Sequence, residues 1–82
     1  MGPMTSDEFV RELRVRLDAA ELPLSDHPSV HIDRVRAGWK YEVAFVVAGL
    51  VRMRGAREVN GRDELVGWLD ELVDGVLGPH PK

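Results

Sequence analysis

Asp26-His27-Pro28-Ser29-Val30-His31-Ile32-Asp33 is the one stretch of this 82-residue sequence that gathers side chains able to hold a metal or shuttle a proton. Imidazole and carboxylate together suit zinc, nickel or copper. A His-x3-His pair converges when it lies on a helix. Pro28 and the alternation that follows it make this stretch extended, where the two rings diverge. The pattern predicts a loop histidine and an exposed strand histidine, and no metal site. Ser6, Ser25 and Ser29 fall in caps or loops, without the ordered histidine and carboxylate that a serine nucleophile needs. The glycines form neither a phosphate-binding loop nor a dinucleotide fingerprint. The chain has no cysteine, which removes disulfides, thiolate zinc sites and thiol nucleophiles. The expectation is a non-enzymatic protein with no catalytic residues and no cofactor.

The elements that carry these residues follow from periodicity. Thr5 with Glu8 three residues on is a capping-box pattern. Phe9, Val10, Leu13, Leu17 and Ala20 then recur at helical spacing, with Val15 outside the stripe. Glu12–Arg16 and Arg14–Asp18 are expected ion pairs one turn apart on the wet side. Pro23 ends the helix, and 22–28 reads as a loop. From Ser29 the period becomes two: Val30 and Ile32 alternate with His31 and Asp33, giving a strand to about Arg36. Ala37-Gly38 reads as a turn. Tyr41, Val43, Phe45 and Val47 form the strongest strand, and Val51 and Met53 continue on a third towards Gly55. Asn60 is the expected cap of a second helix with Asp63 in its first turn. Leu65, Val66, Trp68, Leu69, Leu72, Val73, Val76 and Leu77 cover about half of that helix, enough to touch both the sheet and the first helix. Gly78-Pro79 stops it.

Side-chain pairing favours one hairpin register. With Val47-Ala48-Gly49 as the loop, Phe45 faces Val51 and Val43 faces Met53 on the core side. On the other side Glu42 faces Arg54, Ala44 faces Arg52 and Val46 faces Leu50. A two-residue Ala48-Gly49 turn would set Phe45 against Arg52. The predicted fold is therefore α+β, ordered α-β-β-β-α, a three-stranded antiparallel meander with two helices packed on one face. Residues 5–78 make one domain, with disordered ends at 1–4 and 79–82.

Charge is unevenly spread. Residues 29–62 carry Arg34, Arg36, Lys40, Arg52, Arg54, Arg57 and Arg62 against Asp33, Glu42 and Glu58, four net positive, while the flanking segments are acidic and the whole chain is −3. Arginines beside strands keep sheet edges soluble and apart, and they also make anchors for a partner. Trp39, Val46, Leu50, Arg52 and Arg54 are the candidate partner-binding residues, on an open sheet face that takes another protein or a second copy of the chain. The alternative is a nucleic-acid surface built from Arg34, Arg36, Arg52, Arg54 and Arg57, which the acidic total opposes.

The element order is similar to that of the double-stranded-RNA-binding domain. That family grips phosphates with lysines clustered at the start of its second helix. Here the position reads Asn60-Gly61-Arg62-Asp63-Glu64, which would repel them, so the likeness stops at element order. No apolar run approaches the roughly 20 residues that span a bilayer, and no secretory signal is present. Met1-Gly2 with Ser6 matches an acylation pattern that Pro3 interrupts. A cytoplasmic setting is expected. Nine arginines to two lysines, with abundant valine, resembles the coding bias of a GC-rich bacterial or phage genome, where a small accessory protein would fit.

Overall fold

The computed structural model describes residues 4–77. The expected disorder at 1–3, the Gly78-Pro79 stop and the tail at 79–82 lie outside the described residues. The element order is α1 (Ser6–Ala19), β1 (Ser29–Val35), β2 (Gly38–Val47), β3 (Val51–Val59) and α2 (Arg62–Leu77), with an antiparallel sheet ordered β1-β2-β3. No described helix is long and apolar enough to cross a membrane.

Helix α1 begins on the predicted capping box. The Glu8 N–H donates to Thr5 Oγ1 at 3.2 Å, and the Thr5 N–H donates to Glu8 Oε1 at 3.4 Å. That backbone bond, helped by Arg62, holds the Glu8 carboxyl below its usual pKa. Phe9, Val10, Leu13 and Leu17 are buried along one stripe. At the other end the Leu22 N–H reaches the Leu17 carbonyl at 2.8 Å and the Glu21 N–H reaches Asp18 at 3.0 Å. This is the Schellman pattern, with Glu21 at φ 60 in the position that glycine usually takes. Pro23 lies just beyond it.

The strands differ from expectation at their joints. Val35 pairs with Gly38, so the β1–β2 turn is Arg36-Ala37 and Gly38 already belongs to β2. Gly38 has φ 148, and a Cβ there would collide with the Val59 carbonyl oxygen. Close backbone approach, rather than a turn, requires this glycine. In the second hairpin Val47 pairs with Val51, and Ala48-Gly49-Leu50 form the loop. Phe45 therefore faces Met53, not Val51, and Val46 faces Arg52, not Leu50. Ala48 (φ 53) and Gly49 (φ 71) are both left-handed, and the Leu50 N–H closes the turn on the Val47 carbonyl at 3.1 Å. Val47 stays in the strand because it is buried and because the 22–28 segment pairs with it. Leu24 bridges Val47, the Ala48 N–H reaches Pro23 at 2.8 Å, and the Ser25 N–H reaches Val46 at 2.9 Å. The observed register differs from the predicted one by two residues, which keeps the paired side chains on their predicted faces and moves Leu50 into the loop.

Strand β3 does not end near Gly55 but runs through it to Val59. A Cβ at Gly55 would sit 3.0 Å from both Leu72 Cδ2 and Trp68 Cζ2, so this glycine marks where α2 lies against the sheet. Helix α2 starts one residue later than an Asn60 cap would have it. The Leu65 N–H donates to the Gly61 carbonyl at 3.2 Å, which puts Gly61 in the capping position.

Both helices cover one sheet face, α1 over β1 and α2 over β3, and they touch each other. Leu65, Trp68, Leu69, Leu72 and Val73 are buried in that sandwich with Tyr41, Val43, Phe45 and Val47 from β2. Phe9 stacks on Tyr41 with centroids 5.6 Å apart and meets Trp68 at 5.9 Å. Met4, predicted to be disordered, is 1% exposed in this core, and its carbonyl accepts the Tyr41 hydroxyl at 2.6 Å. Arg16 binds Glu12 on its own helix and Asp70 on α2, each at 2.9 Å. Arg14–Asp18 is not among the ion pairs of the described residues.

Candidate interaction surface

Alternation decides which side chains face away from the helices. In β2 these are Lys40, Glu42, Ala44 and Val46, the neighbours of the buried odd-numbered residues. The pairing register adds Ser29, His31 and Asp33 from β1, and Arg52, Arg54, Ala56 and Glu58 from β3. Across the sheet they fall into rows: Ser29–Ala44–Arg54, His31–Glu42–Ala56 and Asp33–Lys40–Glu58, with Val46–Arg52 at the hairpin end. No described element covers this face. Its small residues leave two adjoining shallow depressions, of 440 Å³ between His31, Glu42 and Arg54 and of 280 Å³ between His27, Val46 and Arg52. Ser29, Ala44 and Arg54 line both.

The charges on the face are arranged, not scattered. His31 Nε2 lies 3.1 Å from Asp33 Oδ2, two residues along the same strand. Lys40 Nζ lies 3.6 Å from Glu42 Oε1. Arg52 and Arg54 stand side by side at the hairpin end, and neither has a carboxylate partner among the described residues. Three other arginines are engaged, Arg57 with Glu71 at 3.6 Å, Arg62 with Glu8 at 3.4 Å, and Arg16 between Glu12 and Asp70. Glu12 first and then Asp70 raise the Arg16 pKa, which holds that bridge charged.

Three of the five predicted partner-binding residues, Val46, Arg52 and Arg54, share the open face. The other two do not. Trp39 shares the helix-bearing face with Tyr41 and is half-buried against the core, with the Arg34 guanidinium 5.4 Å from its ring centroid. Because Gly38 is in the strand, Trp39 joins the inward alternation instead of flanking a turn. Leu50 is 88% exposed at the hairpin tip, off the sheet, because the loop takes it. The five arginines of the nucleic-acid alternative are also divided. Arg52 and Arg54 are on the open face, Arg34 and Arg57 lie on the helix-bearing side opposite Trp39 and Tyr41, and Arg36 is in the first turn.

His27 and His31 border neighbouring depressions of the same face, but no group of three metal-ligating side chains occurs among the described residues. Ala56, Glu58, Lys40 and the outward residues of β1 belong to the surface although the sequence reading did not place them in the site. The signal for the β3 residues was Val59, which continues the alternation of Val51 and Met53 beyond Gly55. No protein-family model matches the chain, and comparison with curated proteins and with solved structures finds no match.

Proposed function

We propose that this protein is a non-enzymatic interaction module whose uncovered sheet face binds a protein surface carrying carboxylates. The observation that supports this is the position of Arg52 and Arg54, adjacent on an open face and unpaired there. Guanidinium groups match carboxylates in fork geometry, and arginine is enriched among residues that dominate interfaces. Ser29, Ala44 and Ala56 beside them are small enough to let a partner approach the sheet closely. The absence of cysteine suits a reducing, cytoplasmic setting.

The test compares the wild-type chain with the double variant Arg52→Glu/Arg54→Glu as immobilised baits in extract of the producing cells. Wild type retains partners that elute with salt, and the variant, with an unchanged circular dichroism spectrum, retains none of them. Equal retention by both baits overturns the proposal.

A further inference from the structure

We propose that the carboxylates belong to a second copy of the chain, the two open sheet faces stacking about a two-fold axis so that Arg52 of each meets Glu58 of the other. This inference rests on the interaction-module reading and names its partner. Along the outward side of β3 the order is Arg52, Arg54, Ala56, Glu58, cations at the hairpin end and an acid at the other. Asp33 shares the row of Glu58 with Lys40 between them, so that end carries two acids about one lysine and is net negative. A face with opposite charge at its two ends is complementary to itself when turned end for end.

The two-fold axis lies in the plane of the interface and crosses the strands between the Ala44 and Ala56 rows. That operation keeps each β3 over its counterpart and reverses its direction. Arg52 then stands over the partner's end of β3 that carries Glu58, Arg54 stands beside the partner's Glu42, and Ser29 stands over His31. In the two central rows Ala44 faces the partner's Glu42 and Ala56 faces the partner's Arg54, so each alanine leaves room for a longer side chain between two sheets packed about 10 Å apart. A standard interface takes about 800 Å² from each partner, roughly a seventh of the 5728 Å² accessible on this chain.

Other contacts between copies fit less well. Two helices about 10 Å wide make a layer broader than three strands about 4.8 Å apart, which leaves little room for edge-to-edge pairing. On the β3 side Glu71, held 3.6 Å from Arg57, would approach its own copy in such a pairing. A head-to-tail contact of Arg52 and Arg54 with the acidic back of α2 does not close on itself and would propagate. The sheet-to-sheet arrangement closes at two.

Charge exchange tests the arrangement, read by sedimentation equilibrium at low salt with circular dichroism as the folding control. Wild type approaches twice the monomer mass as concentration rises and returns to monomer in high salt. Arg52→Glu and Glu58→Arg each weaken the dimer roughly tenfold or more. Their equimolar mixture recovers a one-to-one heterodimer, because both contacts again join opposite charges. Should either reversal unfold the chain, Arg52→Gln and Glu58→Gln test the same contact by loss alone. A wild type that stays monomeric overturns the dimer, and so does a mixture no tighter than the single variants. If the monomer still captures a different protein in an Arg52-dependent manner, the interaction-module reading stands without the dimer. If Arg52 and Arg54 affect neither measurement, both fail.

Discussion

The hydroxyl of Tyr41 donates a 2.6 Å hydrogen bond to the carbonyl of Met4, tying the central strand to the residue before the capping box of α1. Both residues are almost fully buried, so Tyr41→Phe leaves the carbonyl without its partner and costs about 1–2 kcal/mol. Burial raises the phenol pKa above its ordinary 10.0, the Glu8 carboxylate raises it further, and Arg62 partly opposes the shift. The folded state thus prefers the neutral phenol. Its contribution is complete below the unfolded pKa of about 10 and is lost as pH rises through the higher folded value. Urea midpoints of wild type and Tyr41→Phe should converge in strongly alkaline buffer. A difference that stays constant there would show that ionisation of Tyr41 is not linked to folding.

Gly38 and Gly55 are both required by close approach, and the obstacle differs. At Gly55 a Cβ meets the side chains of Trp68 and Leu72 at 3.0 Å, whereas at Gly38 it runs into the backbone of Val59. Side chains can shift, so Gly55→Ala is expected to cost about 1–3 kcal/mol, the usual range for overpacking. Gly38→Ala should cost more, since φ 148 is also strained for any residue with a Cβ. Thermal denaturation of the two variants ranks them, and the reverse order would mean that the β2–β3 backbone yields more readily than the core.

These two glycines also mark what was legible in the sequence. Strict alternation in Tyr41–Val47 and the helical stripes of α1 and α2 depend on burial of one face, so element types, order and faces could be read directly. A glycine carries no side chain to report a face. Gly38 therefore reads as a turn and Gly55 as a strand end, although Gly38 is the first residue of β2 and Gly55 an interior residue of β3, each with a neighbour pressed against it. The hairpin register depended on Leu24 pairing with Val47, a contact between segments distant in sequence that no local pattern announces. Arg52, Arg54 and Val46 remained in the site because a two-residue slip preserves faces. Leu50 left it because the slip moved the loop onto it.

Glu21 occupies the left-handed position of the α1 C-terminal motif at φ 60 and is exposed. That conformation costs roughly 1–2 kcal/mol in a residue with a Cβ, and glycine returns about 0.5–1 kcal/mol of this through its freer unfolded chain. Glu21→Gly should therefore stabilise the domain by about 0.5–1 kcal/mol, seen as a higher urea midpoint at unchanged slope. A lower midpoint would mean that the Glu21 side chain contributes something beyond the backbone turn.

Arg16 joins the two helices by reaching Asp70 while also holding Glu12. Asp70 is 66% exposed on its side chain, so solvent screens the link. A double-mutant cycle of Arg16→Ala and Asp70→Ala should give a coupling of only about 0.2–1 kcal/mol, shrinking as salt is added. A larger coupling that ignores salt would assign Arg16 a packing role between the helices.

Trp39 and Arg52 separate stability from binding. Trp39 packs half-buried on the helix-bearing side under Arg34, and Arg52 projects from the opposite face with Val46 beside it. Trp39→Ala removes buried aromatic surface and should lower stability by about 1–3 kcal/mol. Self-association of its folded fraction should remain at the wild-type level. Arg52→Glu should do the reverse, leaving stability within about 0.5 kcal/mol, as surface changes usually do, while weakening association. Denaturant melts paired with sedimentation on the same samples read both quantities. If Trp39→Ala dissociates folded chains as strongly as Arg52→Glu does, the binding surface lies at the β1–β2 end on the helix-bearing side, and the open face is only a solvated one.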